Sequence, residues 1–121
     1  MKRNPAYKKQ VERIVKEDFL SFYKACEPKK WYSDKEIMVF PFPGRAQSLA
    51  GRYLIKKAIS DFLEEKEYIF EIEIFNNDFG KPEISFGEHM HKAMQRRGVK
   101  KVECSLSHSQ HYITGMTLFC Y

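Results

Sequence analysis

Apolar residues recur at Leu49, Tyr53, Ile55, Ala58, Ile59, Phe62 and Leu63, and this spacing of about 3.6 predicts a helix over 44–63 with one buried face. Pro43 and Gly44 stand where it should begin. The same period predicts an amphipathic helix over 11–23. Val11, Ile14, Val15, Phe19, Phe22 and Tyr23 lie on its inner side, and Arg13, Lys16, Glu17 and Lys24 on its outer side. Ser33 and Glu36 have the spacing of a capping box, which opens a further helical turn, and Pro41 and Pro43 break it. Beyond the central helix the period changes to two. Phe70, Ile72 and Ile74 alternate with Glu71 and Glu73, predicting a half-buried strand over 68–75. A turn over 76–82 leads into a second strand over 83–86, and a helix over 87–97 closes at Gly98. Strands over 99–106 and 112–120 complete the chain, joined through Ser107–His111. With no repeat and no linker, the pattern predicts a single α+β domain over 1–121.

Composition adds bounds. A chain of 121 residues that is 43% hydrophobic and 15% aromatic fills one core, which excludes a disordered chain. No apolar run reaches the roughly 20 residues of a membrane span, and the N-terminus has no apolar signal region, so a soluble cytoplasmic protein is expected. Cys26, Cys104 and Cys120 are odd in number and far apart, which predicts reduced thiols and neither a disulfide framework nor a zinc ribbon. The net charge of +5 favours an anionic partner: nucleic acid, a phosphorylated cofactor or an acidic protein surface. The cations form separate clusters at 2–9, 29–30 and 96–101 and no continuous stripe, which argues against nucleic acid. Arg45, Arg52, Lys56 and Ser60 share an edge of the central helix, an arrangement compatible with a phosphate or with plain solvation. His89 and His91, two apart on a helix, point to different faces, so the histidines make no metal set.

Three pieces then fall in order: Leu49-Ala-Gly-Arg-Tyr-Leu-Ile-Lys-Lys-Ala58, Gly80-Lys-Pro82, and Cys104-Ser-Leu-Ser-His108 followed by Tyr112. Together they resemble the 4′-phosphopantetheinyl transferase superfamily, specifically its short holo-acyl-carrier-protein synthase type, over roughly Ser33 to Tyr121. The resemblance implies transfer of the phosphopantetheine arm of coenzyme A to a serine of an acyl carrier protein, with magnesium on the pyrophosphate. This is phosphoryl transfer, in which positioning and charge stabilisation dominate. It also implies a homotrimer with coenzyme A between subunits. By position, Arg52, Lys56, Gly80, Lys81, Pro82, Ser107 and His108 would hold coenzyme A. Lys56, Lys57 and Asp61 would stand at the catalytic positions, and Arg13 and Lys16 would meet the acidic carrier protein.

The departures from the family pattern lie at the metal. Lys57 occupies the place of a family glutamate that binds magnesium, and Asp61 the place of a family lysine. The family's second carboxylate comes from an N-terminal strand of the type Gly-Ile-Asp. The residues around Pro5 to Lys9 hold no acid, and that strand is expected to be absent. Two explanations follow: Lys57 replaces the metal, paired with Asp61 one turn on, or Glu71, Glu73 or another acid supplies a metal site from a different element. The alternative function is a catalytically silent protein that binds coenzyme A or a carrier protein.

Overall fold

The computed structural model describes residues 7–121. In chain order the elements are β1 (Tyr7–Val15), α1 (Lys16–Ala25), α2 (Pro28–Trp31), α3 (Asp34–Val39), α4 (Ala46–Leu63), a 3-10 turn (Ile69–Glu71), β2 (Ile72–Asn76), β3 (Pro82–Phe86), α5 (Glu88–Arg96), β4 (Lys101–His108) and β5 (Tyr112–Cys120). The long helix α4 is buried along most of its length because both of its sides are covered. Ile55, Ile59 and Leu63 pack with Ile72, Ile74, Met90 and Phe119, while Leu49, Ala50 and Leu54 pack with Phe19, Tyr32, Phe40 and Ile113. Each fully buried aliphatic chain contributes about 1.5–3 kcal/mol, so this helix anchors the domain.

Strands β1, β5 and β4 form an antiparallel sheet in that order, and β2 and β3 a separate antiparallel hairpin. Ile113, Thr117 and Phe119 of β5 are buried on the face toward α4. Gly115 permits the close approach: a Cβ there would lie 3.1 Å from both Leu54 and Ile55. Ser33 caps α3 with both halves of the capping box formed. Gly98, at φ 71°, turns the chain after α5.

Two expectations are corrected. The helix predicted over 11–23 is a strand followed by a helix, with the change at Lys16. Val11, Ile14 and Val15 match a helical period, yet nine residues of β1 pair with β5, and Gln10, Glu12 and Ile14 form its less exposed face. Polar residues on that face hid the period of two, and pairing overrode local pattern. The N-terminal strand expected to be absent is therefore present; Pro5 and Ala6, where it was sought, lie outside the described residues. In addition, the start of the strand predicted at 68 is a 3-10 turn, in which Ile69 is buried and Phe70 is 39% exposed.

Candidate functional site

The hairpin β2–β3 and the end of β4 close on the first half of α4 around a cavity of about 370 Å³. Asn77 builds the hairpin turn. Its Oδ1 accepts from the backbone N–H of Phe79 (2.9 Å) and of Lys81 (3.0 Å), and Gly80 takes φ 78°, a conformation that favours glycine. Gly80, Pro82, Ser107 and His108 line the cavity with Gln47, Ser48, Gly51, Arg52 and Asn76. Gly51 keeps the wall thin, since a Cβ there would meet Leu106 at 3.0 Å. Five of the seven residues proposed for coenzyme A thus come together. Sequence reasoning missed Gln47, Ser48 and Asn76, although Asn76 directly precedes the turn.

Arg52 forms the cavity floor and is 2% exposed. Its Nε donates to Ile74 O (2.7 Å), Nη1 to Ser48 O (3.1 Å) and Nη2 to Asn76 Oδ1 (3.4 Å), and its guanidinium stacks on Phe40. All three acceptors are neutral, so the charge is left to act on whatever enters above it. Lys81 turns away and lines a larger cleft of about 500 Å³ between β3 and β4. Cys104 borders the same cleft, and burial pushes its thiol up to about 11, which leaves no thiolate nucleophile at neutral pH.

Lys56 is not in the site. It is fully buried, with Nζ 2.8 Å from Glu36 Oε1 and donating to Ile72 O. Glu36 also accepts from the backbone N–H of Ser33 (3.1 Å) and Ile74 (3.1 Å). Burial lowers the lysine pKa and Glu36 opposes this. Of the polar edge read on the central helix, Arg52 and Lys56 therefore form an internal seam joining α4 to α3 and β2, while Arg45 is exposed. Ser60 is buried as well, but it donates to Glu65 O just beyond the end of α4.

Lys57, the next residue, faces the other way. Its Nζ lies 3.1 Å from Asp61 Oδ2 and 3.9 Å from Glu12 Oε2 of β1, and Lys66 binds the other oxygen of Asp61. Glu12 is an acid on the N-terminal strand that sequence reasoning did not find, because the strand itself was not seen. Magnesium, implied by the resemblance, does not fit here. The two carboxylates are already taken by an ammonium, and a divalent ion about 4 Å from that ammonium would be repelled by several kcal/mol. Among the described residues no cluster of three or more His, Cys, Asp or Glu forms elsewhere. Glu71 caps α5, accepting from Met90 N (3.0 Å) and paired with His89 (2.9 Å), while Glu73 accepts from Ser33 Oγ (2.6 Å). The two acids therefore serve separate structural bonds.

Arg13 and Lys16 do not share a helix. Arg13 lies on β1 over the Tyr112 ring, and Lys16 opens α1, its backbone N–H bonded to His111 O. With Glu17 and Asp18 in its first turn, α1 is not a basic helix.

The fold defines a class: a small α+β domain of the kind seen in holo-acyl-carrier-protein synthases. The structure from Neisseria meningitidis matches at TM-score 0.77 and 18% identity over 93% of this chain and 97% of that one. The Chronobacterium ammoniagenes synthase–coenzyme A complex matches at 0.76 and 21%, covering 97% and 98%, and the Helicobacter pylori synthase in complex with coenzyme A at 0.74 and 17%, covering 93% and 99%. No protein-family model matches the chain. A holo-[acyl-carrier-protein] synthase of Fusobacterium nucleatum subsp. nucleatum is 31% identical over 114 residues, 90% of each chain. The chain belongs to the holo-acyl-carrier-protein synthase family. No helix among the described residues is long and apolar enough to cross a membrane.

Proposed function

We propose that the chain transfers the 4′-phosphopantetheine of coenzyme A to a serine of an acyl carrier protein. The identity to the Fusobacterium synthase over nine-tenths of both chains carries this reading. In the transfer a serine oxygen–phosphorus bond forms, the phosphoanhydride bond breaks, and 3′,5′-ADP leaves with the bonding electrons while the serine gives up its proton. The cavity above Arg52 suits the phosphorylated nucleotide end. His108, Ser107, Ser48 and Asn76 offer polar contacts to phosphate and ribose, and the Gly80 turn lets a ligand approach backbone.

We further propose a homotrimer whose site is shared between copies. Arg52 and Lys57 are five residues apart on α4, about 140° around its axis, so one coenzyme A lying in one chain's cavity does not face that chain's Lys57. A second copy presenting Lys57 would complete the site. The outer face of the sheet offers a contact surface, with Val11 58% exposed beside Met116 and Leu118. The carrier protein, from fatty-acid or secondary-metabolite synthesis in the cytoplasm, would dock near Arg13 and Lys16, which flank the junction of β1 and α1.

Incubation with coenzyme A and apo carrier proteins, read by intact mass spectrometry, tests the transfer. The expected result is a gain of one phosphopantetheine on a carrier protein. A second reading, binding without transfer, is favoured by Lys57 at a metal-ligand position; it predicts bound coenzyme A and no mass gain in any divalent salt.

A further inference from the structure

Lys57 projects from the turn of α4 that faces β1, where Glu12 stands on the inner face of the strand. One turn on, Asp61 accepts from Lys57 and from Lys66 through different oxygens. Carboxylates from two elements thus hold one ammonium between them. The side chains of Lys57, Glu12 and Asp61 are 40%, 32% and 38% exposed, and pairs this open to water add little to stability. What the arrangement does is fix the Lys57 charge in position. Two carboxylates and two ammonium groups sum to zero, as do two carboxylates around one divalent cation.

The cluster opens onto a cavity of about 340 Å³ rimmed by Lys30, Lys57 and Lys66, with Asp61 the one acid on its lining and Trp31 and Tyr53 as its wall. Glu27, paired with Lys30, and Glu12, beside Lys57, lie outside the lining, so the groups an entering ligand meets are three ammonium groups and one carboxylate, and the aromatic wall suits an uncharged chain attached to an anionic group. Hydrogen bonding to Asp61, against partial burial, and the charge of Glu12 keep Lys57 protonated through the neutral range.

We propose that Lys57, held between Glu12 of β1 and Asp61 of α4, supplies the positive charge that a divalent cation would otherwise bring to the pyrophosphate of a coenzyme A whose nucleotide lies in the Arg52 cavity of a second copy, so that the assembled protein binds coenzyme A without a metal. The proposal rests on the coenzyme A reading above. An ammonium neutralises a phosphate oxygen as a compact point charge and needs no set of oxygen ligands.

The test is the affinity for coenzyme A by calorimetry, in EDTA and in Mg²⁺, for the wild type, Lys57→Ala and Lys57→Glu, with Mn²⁺ uptake by each protein alone followed by electron paramagnetic resonance. The wild type is expected to bind equally within twofold in both buffers and to take up no Mn²⁺ at micromolar concentration. Lys57→Ala should bind at least tenfold more weakly in EDTA. Lys57→Glu, which places a third carboxylate beside Glu12 and Asp61, should take up Mn²⁺ and bind coenzyme A only with a divalent ion. Wild-type binding that requires Mg²⁺, or Lys57→Ala binding as tightly as wild type in EDTA, overturns the replacement by Lys57 and leaves the coenzyme A reading standing. No binding by wild type in either buffer overturns both.

Discussion

Lys56 and Lys57 are adjacent on one helix and do opposite work. Lys56 is sealed inside, its ammonium shared by Glu36 and the Ile72 carbonyl, with burial lowering its pKa. Lys57 sits at the edge, bridging Glu12 and Asp61 in partial contact with water, and its pKa is raised. A step of one residue turns the side chain about 100° around the helix, from the hairpin side to the sheet side. The residue type is the same and the positions are adjacent; the surroundings that one step of the helix selects separate a structural cation from one that can meet a ligand.

The strongest way to break this contrast is to remove each ammonium. Lys56→Ala should cost about 3–5 kcal/mol, because it leaves the Glu36 carboxylate buried with its charge uncompensated. Chemical denaturation measures it, and a loss below about 1 kcal/mol would mean that water reaches the pair. Replacing both partners, Lys56→Met with Glu36→Leu, should recover only part of the loss. The backbone N–H groups of Ser33 and Ile74 would still lack the carboxylate they donate to.

Arg52→Lys sharpens the same side of the comparison with a smaller effect. A lysine keeps the charge and loses the fork that holds Ile74 O, Ser48 O and Asn76 Oδ1 at once, so stability should fall by about 1–3 kcal/mol. Coenzyme A affinity should fall with it, because Asn76 loses its anchor at the cavity.

Why only part of this was legible follows from where each signal lives. Strand β5 reads directly, because buried Ile113 and Phe119 alternate with less buried neighbours and one face meets α4. The capping box at Ser33 is a local rule, and it was formed as read; that Glu36 also neutralises Lys56 twenty residues away is tertiary and left no local trace. Gly80, Pro82, Ser107 and His108 converge because turns and strand ends place short polar motifs at a surface. Lys56 was placed at the ligand by its position in the resemblance, and the carboxylate that instead holds it inside comes from α3, twenty residues away. Strand β1 puts Gln10 and Glu12 inward and Val11 outward, which inverts the hydrophobic alternation, and with the strand unseen Glu12 went unseen as well.

On the other side of the comparison, Lys57→Ala should change stability by less than about 1 kcal/mol, since its partners remain hydrated when it is gone. A loss as large as that of Lys56→Ala would erase the distinction between the two lysines.

The smallest effect is the pH response of the Lys57 cluster. Hydrogen bonding from Lys66, against partial burial, and then from Lys57 holds the Asp61 carboxyl below its ordinary 3.8. A carboxyl whose folded value is depressed contributes stability above the unfolded value, and that contribution is lost as pH falls through the folded value. For Lys57 the sign is reversed: its raised value contributes below the ordinary 10.5 and fades as pH rises through the folded value. The cluster is thus fully formed across the neutral range. The stability difference between wild type and Asp61→Asn should be constant between about pH 5 and 9, within about 1 kcal/mol, and should close below about pH 4. Carboxyl chemical shifts follow Asp61 directly. An inflection at or above 3.8 would mean that neither lysine clamps it, and Lys57 would then be an ordinary surface residue whose likeness to Lys56 ends at its name.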